Sequence, residues 1–324
     1  MKGSLSFTRG RGLGTLWTEF PERRNERPHF TFFYKEENSI FMNKIYLCGD
    51  IHQEIDPVYD FIDRLHERNI NLDKTDFIIF LGDFGANYFC NGNLREEEFK
   101  QEINDLGCTI LVMRGNHEER ISNMILKYPY KYVSNELKSY EYEYLVPNDK
   151  WYATKTVTNI RYYYEKNYPN IWYLPDEPCA FNLNGYFIFS LPGAYSIDKY
   201  YRLAVGQRWF KDEQLTQEEM AAVRGQPWDK IQFFDLIISH TCPISFEPTD
   251  LFIPDIDQDT IDKTTERFLE EVRQDAFYTA WCWGHFHQYR DYGKDELGRK
   301  HLMLFSDKLI ELNDFLANDN FTTY

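Results

Sequence analysis

Histidine, aspartate and asparagine recur in five short segments of this 324-residue sequence, each directly after an apolar run. In chain order these segments are GDIH at 49–52, GD at 82–83, GNHE at 115–118, SH at 239–240 and GHFH at 284–287. Five of the eight histidines lie in them, whereas His29, His66 and His301 do not. Imidazole, amide and carboxylate groups without thiolates are typical ligands of Mn, Fe, Zn or Co. Five such segments favour one shared metal site over five unrelated structural roles.

Asp83 is the most informative single residue of the set. It ends the run TDFIIFLGD, which has the composition of a buried strand. A carboxylate in such a place costs free energy unless a cation offsets its charge. We therefore expect Asp83 to contact a bound cation, with the other segments contributing the remaining ligands.

The apolar runs before these segments predict the elements that position them. KIYLCGDI, DFIIFLGDF and CTILVMRGN are predicted strands, separated by a helix that begins at Asp56 and one that ends near Gly107. The first helix has one apolar face, made of Val58, Phe61, Ile62 and Leu65. This βαβαβ order favours helices on both faces of a buried sheet. Ligands of such sheets collect at the carboxyl ends of the strands.

The second half of the chain also alternates. AFNLNGYFIFSLPG predicts a hairpin that turns at Asn184-Gly185, and LTQEEMAAVRG predicts a helix capped by Thr216. DLIISHTCP, DKTTERFLEEVRQ and TAWCWGHFH predict a strand, a helix and a strand, and HLMLFSD and KLIEL predict further strands near the end. The chain is therefore predicted to be α/β throughout.

Composition narrows the classes of partner. The formal net charge is −16, and long nucleic acids favour clustered Lys and Arg, so we expect no long nucleic acid. A small phosphorylated substrate is compatible, because a bound metal reverses the local sign of the field. The six cysteines form no CxxC pair, which fits reduced thiols and a cytoplasmic location. Apolar runs are too short to span a membrane, and we expect no secretory signal.

Two parts of the chain differ from the α/β pattern. Residues 1–41 are rich in Gly, Pro and Arg, and we expect a mobile N-terminal extension before a candidate natural start at Met42, with the domain over residues 42–324. Residues 127–173 hold 12 of the 24 tyrosines and predict an insertion. Its tyrosines could pack on the main body, the interpretation we favour, or form a cap that contacts substrate.

In this order, GDIH, GD, GNHE, SH and GHFH resemble the calcineurin-like metallophosphoesterase superfamily, in particular its small bacterial and phage-type members. The resemblance extends from Asp50 to His287 and so covers most of the chain after Met42. It implies an α/β fold with four layers, an αββα sandwich of two mixed sheets flanked by helices.

The resemblance also implies a site with two divalent ions, with Mn expected first and Fe, Zn, Co or Ni as alternatives. One ion would bind Asp50, His52, Asp83 and His287. The other would bind Asp83, Asn116, His240 and His285. Asp83 would bridge the two ions, and a hydroxide between them would attack phosphorus. His117 would be the general acid, or a phosphate-binding group, near the leaving oxygen.

The substrate stays open at this point. RGNHE, with Arg114, resembles the phosphoprotein phosphatase branch, but FGANYF follows GD where that branch has an Asp-Arg pair, and GDIHQ lacks its glycine. Small phosphomonoesters, phosphodiesters, cyclic nucleotides, dinucleotide polyphosphates and phosphoproteins all remain candidates. Arg114 is a candidate phosphate contact. Lys199 and Arg202 are further candidates in LPGAYSIDKYYR, which resembles a loop of the small members, although structural packing is the favoured interpretation of that loop.

Two other classes of function are weighed. A non-catalytic metal-binding protein of the same fold could bind a protein through the Tyr-rich insertion. All eight expected positions are filled, however, which favours an enzyme. A metallohydrolase acting on amide or carboxylic ester bonds would more often show an HxHxD cluster, which this sequence lacks.

Overall fold

Thirteen strands form two sheets in the described part of the chain. The computed structural model describes residues 43–89, 93–127, 142–145, 162–165, 167–228, 233–254 and 256–324. The strands are β1 Ile45–Cys48, β2 Phe77–Phe80, β3 Thr109–Val112, β4 Tyr142–Leu145, β5 Tyr162–Glu165, β6 Tyr168–Tyr173, β7 Cys179–Leu183, β8 Tyr186–Leu191, β9 Phe234–Ser239, β10 Tyr278–Trp283, β11 Arg290–Lys294, β12 Lys300–Met303 and β13 Ile310–Glu311.

Seven α-helices connect or flank these strands within the same residues. They are α1 Asp56–Glu67, α2 Leu94–Asn104, α3 Ile121–Lys127, α4 Lys199–Ala204, α5 Gln217–Arg224, α6 Thr264–Asp275 and α7 Leu312–Ala317. The predicted hairpin turn at Asn184-Gly185 is confirmed between β7 and β8. Thr216 caps α5 as predicted, since its hydroxyl accepts a hydrogen bond from the Glu219 amide.

Both sheets are mixed. The first has seven strands in the order β13-β1-β2-β3-β6-β5-β4, and its central strands β1, β2, β3 and β6 are parallel. The second has six strands in the order β11-β12-β10-β9-β8-β7, with β8, β9, β10 and β12 parallel. Parallel neighbours end at the same edge, so each sheet brings several strand ends together.

Alternate residues of each strand face different layers, which gives the four-layer arrangement. Leu47 and Ile79 of the first sheet pack with Ile188 and Leu236 of the second in a core between the sheets. The opposite face of the first sheet packs against α1 and α2, and that of the second sheet against α5 and α6. The αββα sandwich of two mixed sheets flanked by helices is therefore confirmed.

One expectation from the strand pattern is wrong. The βαβαβ opening predicted helices on both faces of its sheet, but α1 and α2 pack on the same face. The other face is covered by the second sheet. A continuous apolar strand indicates burial on both faces and does not distinguish a helix from a sheet as the covering layer.

Part of the Tyr-rich segment belongs to the first sheet. Strand β6 pairs in parallel with β3, β5 pairs with β6, and β4 pairs with β5. Tyr162, Tyr168 and Tyr173 are buried. Apart from Lys127 at the end of α3 and Asn167 before β6, the remaining residues of the predicted insertion lie outside the described residues. The predicted extension over residues 1–41 also lies outside them.

A buried ion pair joins this part of the sheet to α2. The Lys100 ammonium lies 2.6 Å from Glu165 Oε1 and 3.4 Å from Glu96 Oε1, and all three side chains are almost completely buried. We expect Lys100→Met to lower the free energy of unfolding by about 3–5 kcal/mol, because buried carboxylates lose their counter-charge. Urea unfolding measures the change. The control Lys294→Met breaks an exposed ion pair with Asp319 and should change the urea concentration at the unfolding midpoint little. Equal midpoint changes in the two variants would contradict the prediction.

Two further expectations concern cysteines and membranes. Cys48, Cys108, Cys242 and Cys282 are buried free thiols, and Cys90 lies outside the described residues. Over the same residues, no helix has the length and apolar character needed to cross a bilayer.

Candidate metal centre

The strand ends of the two sheets meet at one place. Strands β1, β2 and β3 of the first sheet lead into Asp50, Asp83 and Asn116, while β9 and β10 of the second lead into His240 and His285. Hydrogen bonds cross between these ends. The His285 amide donates to both Asp50 carboxylate oxygens at 2.9 and 3.0 Å, and the His240 ring bonds the Leu81 carbonyl at 2.8 Å. All seven predicted metal ligands therefore lie together.

Asp50, His52 and His287 form one cluster of possible ligands. The Nε2 atoms of His52 and His287 are 3.0 Å apart, and His287 Nε2 is 3.5 Å from Asp50 Oδ2. These donor atoms therefore converge. Two imidazoles and a carboxylate form a donor set that suits a divalent first-row transition metal.

Asn116, His240 and His285 converge beside that cluster. Asn116 Oδ1 lies 2.8 Å from His240 Nε2 and 3.1 Å from His285 Nδ1. The other ring nitrogen of His240 contacts the Leu81 carbonyl. A backbone carbonyl in that position fixes the tautomer that leaves Nε2 available as a ligand.

Asp83 lies between the two groups. Its Oδ2 is 3.8 Å from His52 Nε2 and 3.5 Å from His240 Nε2. It belongs to one cluster with His52 and His117 and to another with Asp50 and His240. One side chain can thus reach ligands of both predicted ions, which is the position that a bridging carboxylate requires.

Four of the predicted ligands have backbone conformations that residues other than glycine rarely adopt. His52, Asp83, His285 and His287 have positive φ angles of 45°, 47°, 72° and 52°. Such angles cost of the order of 1–3 kcal/mol each and cluster at functional sites. Gly115 also matters, since a Cβ there would overlap the Asp83 carboxylate. The sequence pattern of glycine beside a ligand therefore has a steric cause.

Charge at the centre favours a cation. Burial raises the pKa of Asp50 to about 6. Burial would also raise the pKa of Asp83, but the histidines around it, His240 first, hold that pKa well below its usual range. Within the described residues, neither carboxylate has a Lys or Arg partner. Burial would lower the pKa of His240, but Asp83 and Asp50 in turn raise it to about 9. Two buried carboxylates beside imidazole and amide groups fit divalent cations, which would offset their charge.

His117 lies at the edge of this centre. Its backbone amide donates to Asp83 Oδ1 at 2.8 Å, and its Nε2 is 4.0 Å from Asp83 Oδ2. Its side chain is 26% exposed, whereas His240 is fully buried. The imidazole is thus fixed through its backbone, and its ring remains accessible to a molecule bound at the centre.

The three predicted phosphate contacts have other partners. The Arg114 guanidinium is buried and donates to the Glu213 carbonyl at 2.6 Å. Arg202 is also buried and contacts Ser196 and Glu213. The Lys199 ammonium lies 4.0 Å from the centre of the Trp209 ring. Both arginine side chains are therefore held by contacts with Glu213, and the role of all three residues in binding phosphate stays a prediction.

Sequence reasoning missed the residues that orient Asn116. The Asn116 amide donates to Ser196 Oγ at 2.8 Å, and the Ser196 hydroxyl donates to Glu213 Oε2 at 2.5 Å. Ser196 lies in the segment LPGAYSIDKYYR, in which Lys199 and Arg202 were the candidate contacts. Glu213 gave no recognisable signal, because its role depends on a contact with a distant loop.

Glu118 also supports the centre, a role that the GNHE motif did not indicate. Its carboxylate accepts hydrogen bonds from the Gly85 and Gly115 amides, both at 2.9 Å. Burial raises its pKa to about 7. It connects the loop that carries Asp83 with the loop that carries Asn116.

We expect Ser196→Ala to weaken metal binding by about 10- to 100-fold, the usual effect of removing a partner that orients a ligand. The Asn116 amide would lose its acceptor and could rotate Oδ1 away from the histidines. Metal titration with calorimetric detection measures the affinity. The control Ser122→Ala removes a hydroxyl that bonds Asp176 at 2.7 Å, and it should leave the affinity unchanged. An unchanged affinity for Ser196→Ala would contradict the orienting role.

Comparison with known families agrees with the fold and with this centre. Residues 43–289 match the family model described as calcineurin-like phosphoesterase. The match covers most of the chain, and the chain belongs to this family. Phosphoester hydrolysis is the activity that this membership and the clustered ligands support. The search of curated proteins found no match.

Solved structures show distant likenesses. A Thermus thermophilus protein is 8% identical with a TM-score of 0.43, covering 87% of this chain and 98% of its own. A structure titled as a novel archaeal phosphodiesterase is 11% identical with a TM-score of 0.33, covering 83% and 92%. Phosphopantetheinyl hydrolase of Mycobacterium tuberculosis is 13% identical with a TM-score of 0.37, covering 82% and 90%.

Proposed function

We propose that this chain is a dinuclear metal-dependent phosphoester hydrolase. The observation that carries the proposal is the position of Asp83, whose carboxylate reaches ligand atoms in both groups of donors. Asp50, His52, Asp83 and His287 would bind one ion, and Asp83, Asn116, His240 and His285 the other. Two divalent ions there would lower the pKa of a bound water and offset the charge that develops at phosphorus. Nitrogen and oxygen donors suit Mn, Fe, Zn, Co or Ni, and the family resemblance is the reason for expecting Mn first.

His117 is the proton donor in this proposal. A water molecule would release one proton to solvent, and the resulting hydroxide oxygen would add to phosphorus. The bond from phosphorus to the leaving oxygen would break, and that oxygen would take a proton from His117 and leave as an alcohol. The hydrogen bond from the His117 amide to Asp83 Oδ1 fixes the imidazole beside the centre. Burial lowers the pKa of His117 despite the nearby Asp83 charge. A small phosphorylated substrate is the expected partner.

Hydrolysis by the metal-reconstituted protein tests the proposal. Mn is added first, then Fe, Zn, Co and Ni, and the protein is given an aryl phosphomonoester and an aryl phosphodiester. We expect metal-dependent turnover of at least one ester. Two bound metals without turnover of any phosphoester would overturn the proposal. That result would favour the alternative, a non-catalytic metal-binding protein that acts as an interaction module.

A further inference from the structure

A cavity of about 390 Å³ opens directly beside the metal centre. Asp83, Asn116 and His117 lie at its floor, together with His285 and His287. Its volume is within the range of small-molecule binding sites. A group attached to a phosphate at the centre could extend into it without any rearrangement of the chain.

Much of the wall of this cavity is apolar. The side chains come from the loop after β8, from the connection between β9 and α6, and from the GHFH segment: Ile197, Leu251, Phe252, Ile253, Ile261 and Phe286. Three of them are markedly exposed, at 43% for Ile197, 37% for Leu251 and 51% for Ile253. Exposed apolar side chains grouped at the rim of a cavity indicate a binding surface.

The charged side chains that line the cavity already have partners. The Lys263 ammonium lies 2.8 Å from Glu247, and the Asp198 carboxylate lies 3.0 Å from the Arg202 guanidinium. Glu266 accepts a hydrogen bond from the Thr241 hydroxyl at 2.9 Å. Among the described residues that line the cavity, Lys263 is the one lysine or arginine, and Glu247 offsets its charge. An uncharged apolar group fits these walls better than a polyphosphate or a phosphopeptide, which favour Arg and Lys clusters.

A second, smaller cavity of about 190 Å³ also borders His117. It is lined by His52, Tyr88, Phe89 and Arg95, and His117 lines both cavities. The Tyr88 ring is nearly parallel to that of His117, with ring centres 6.2 Å apart. Two separate cavities therefore border the centre, and each could hold one organic group of a bound phosphate ester. A diester has two such groups, whereas a monoester has one.

We propose that the substrate is a phosphodiester with one apolar arm, which binds in the 390 Å³ cavity against Leu251, Phe252 and Ile253. This inference rests on the proposed hydrolase function and names its class of substrate. The reaction would yield a phosphomonoester and an alcohol. The second arm would bind in the 190 Å³ cavity, where it would contact Tyr88 and Arg95.

A series of alkyl p-nitrophenyl phosphodiesters tests the inference, with methyl, ethyl, butyl and hexyl arms and the Mn-loaded protein. We expect kcat/KM to rise roughly two- to fourfold per methylene until the cavity is filled, since each buried methylene contributes about 0.8 kcal/mol at most. We expect p-nitrophenyl phosphate, a monoester, to be the poorer substrate. Direct binding of methyl- and hexylphosphonate by calorimetry supplies a second readout, in which the longer ligand should bind more tightly and with a more negative heat-capacity change.

The double variant Leu251→Ser with Ile253→Ser should reduce the ratio of hexyl to methyl kcat/KM by about fivefold or more, because it removes apolar wall area. The control Leu297→Ser changes a side chain that is 75% exposed, in the hairpin turn between β11 and β12, and should leave the ratio unchanged. A ratio near one in the wild type, or a preference for the monoester, would overturn the inference and leave the hydrolase function intact. Absence of turnover for every ester would instead overturn the proposed function, and tighter hexylphosphonate binding would then still support the apolar cavity.

Discussion

Asp83→Asn is expected to abolish metal-dependent hydrolysis, with a fall in kcat/KM of at least about a thousandfold. The exchange keeps the size of the side chain and removes the negative charge that two cations would share. Removing a residue that only orients a ligand costs about 10- to 100-fold, so removing a shared ligand should cost more. The Asp83 carboxylate has no Lys or Arg partner among the described residues, which leaves metal as its expected counter-charge.

Three measurements on Asp83→Asn test this prediction: turnover, the number of metal ions bound, and the rise in melting temperature on adding Mn. Bound metal stabilises the folded state to an extent that grows with its affinity, so the rise should be reduced or lost. Asp235→Asn is the matched control. Asp235 lies in β9 far from the centre and accepts a hydrogen bond from the Phe187 amide at 2.7 Å, which an Asn oxygen can also accept. Wild-type activity in Asp83→Asn would contradict the role of Asp83 as a ligand shared by two metal ions.

His117→Gln is expected to lower kcat by about 10²–10⁴-fold, the usual contribution of a general acid, with both metals still bound. The loss should depend on the leaving group. An ester that releases p-nitrophenolate needs little protonation, whereas an ester that releases a simple alkoxide needs a proton in the transition state. The decrease should therefore be much larger for the alkyl leaving group.

This dependence separates a proton donor from a structural histidine. A histidine that merely supports the loop would lower the rate for all esters by the same factor when it is replaced. His66→Gln serves as the control, since His66 is exposed on α1 and should have no effect. An equal loss for both leaving groups, or loss of metal from His117→Gln, would contradict the assigned role.

Much of the centre could be predicted from the sequence because its ligands follow strands directly. Asp50, Asp83 and Asn116 each come two to four residues after a short buried strand. Parallel strands end at the same edge, so residues in these positions meet whatever the connecting segments do. The steric need for glycine beside them adds a local signal, as Gly115 shows against the Asp83 carboxylate.

The layer arrangement of the fold was harder to predict from the sequence than the ligands. The strand pattern correctly indicated that the first sheet is buried on both faces, and it wrongly assigned helices to both. Leu47 and Ile79 are as apolar as Cys48 and Phe80, yet the first pair faces the second sheet and the other pair faces the helices. Burial alone does not report which kind of layer provides it. The resemblance to a known family, and not the periodicity, predicted two sheets.

Side-chain orientation was the least predictable feature. The charge of Arg114 near a predicted phosphate site made it a candidate phosphate contact. Its guanidinium instead donates a hydrogen bond to the carbonyl of Glu213, 99 residues away in the chain. Ser196, a small polar residue without periodic context, contacts Asn116 instead. The apolar cavity was also missed, because the segment between β9 and α6 forms short 3₁₀ turns at Ile244–Phe246, Thr249–Leu251 and Gln258–Thr260 that carry no regular pattern.

Anomalous diffraction from crystals of the Mn-reconstituted protein tests the two-metal centre most directly. We predict two ions per chain, about 3.5–4 Å apart, with Asp83 bound to both and with His287 and His240 bound to different ions. A single ion, or two ions of which Asp83 contacts only one, would contradict the dinuclear centre proposed for this chain.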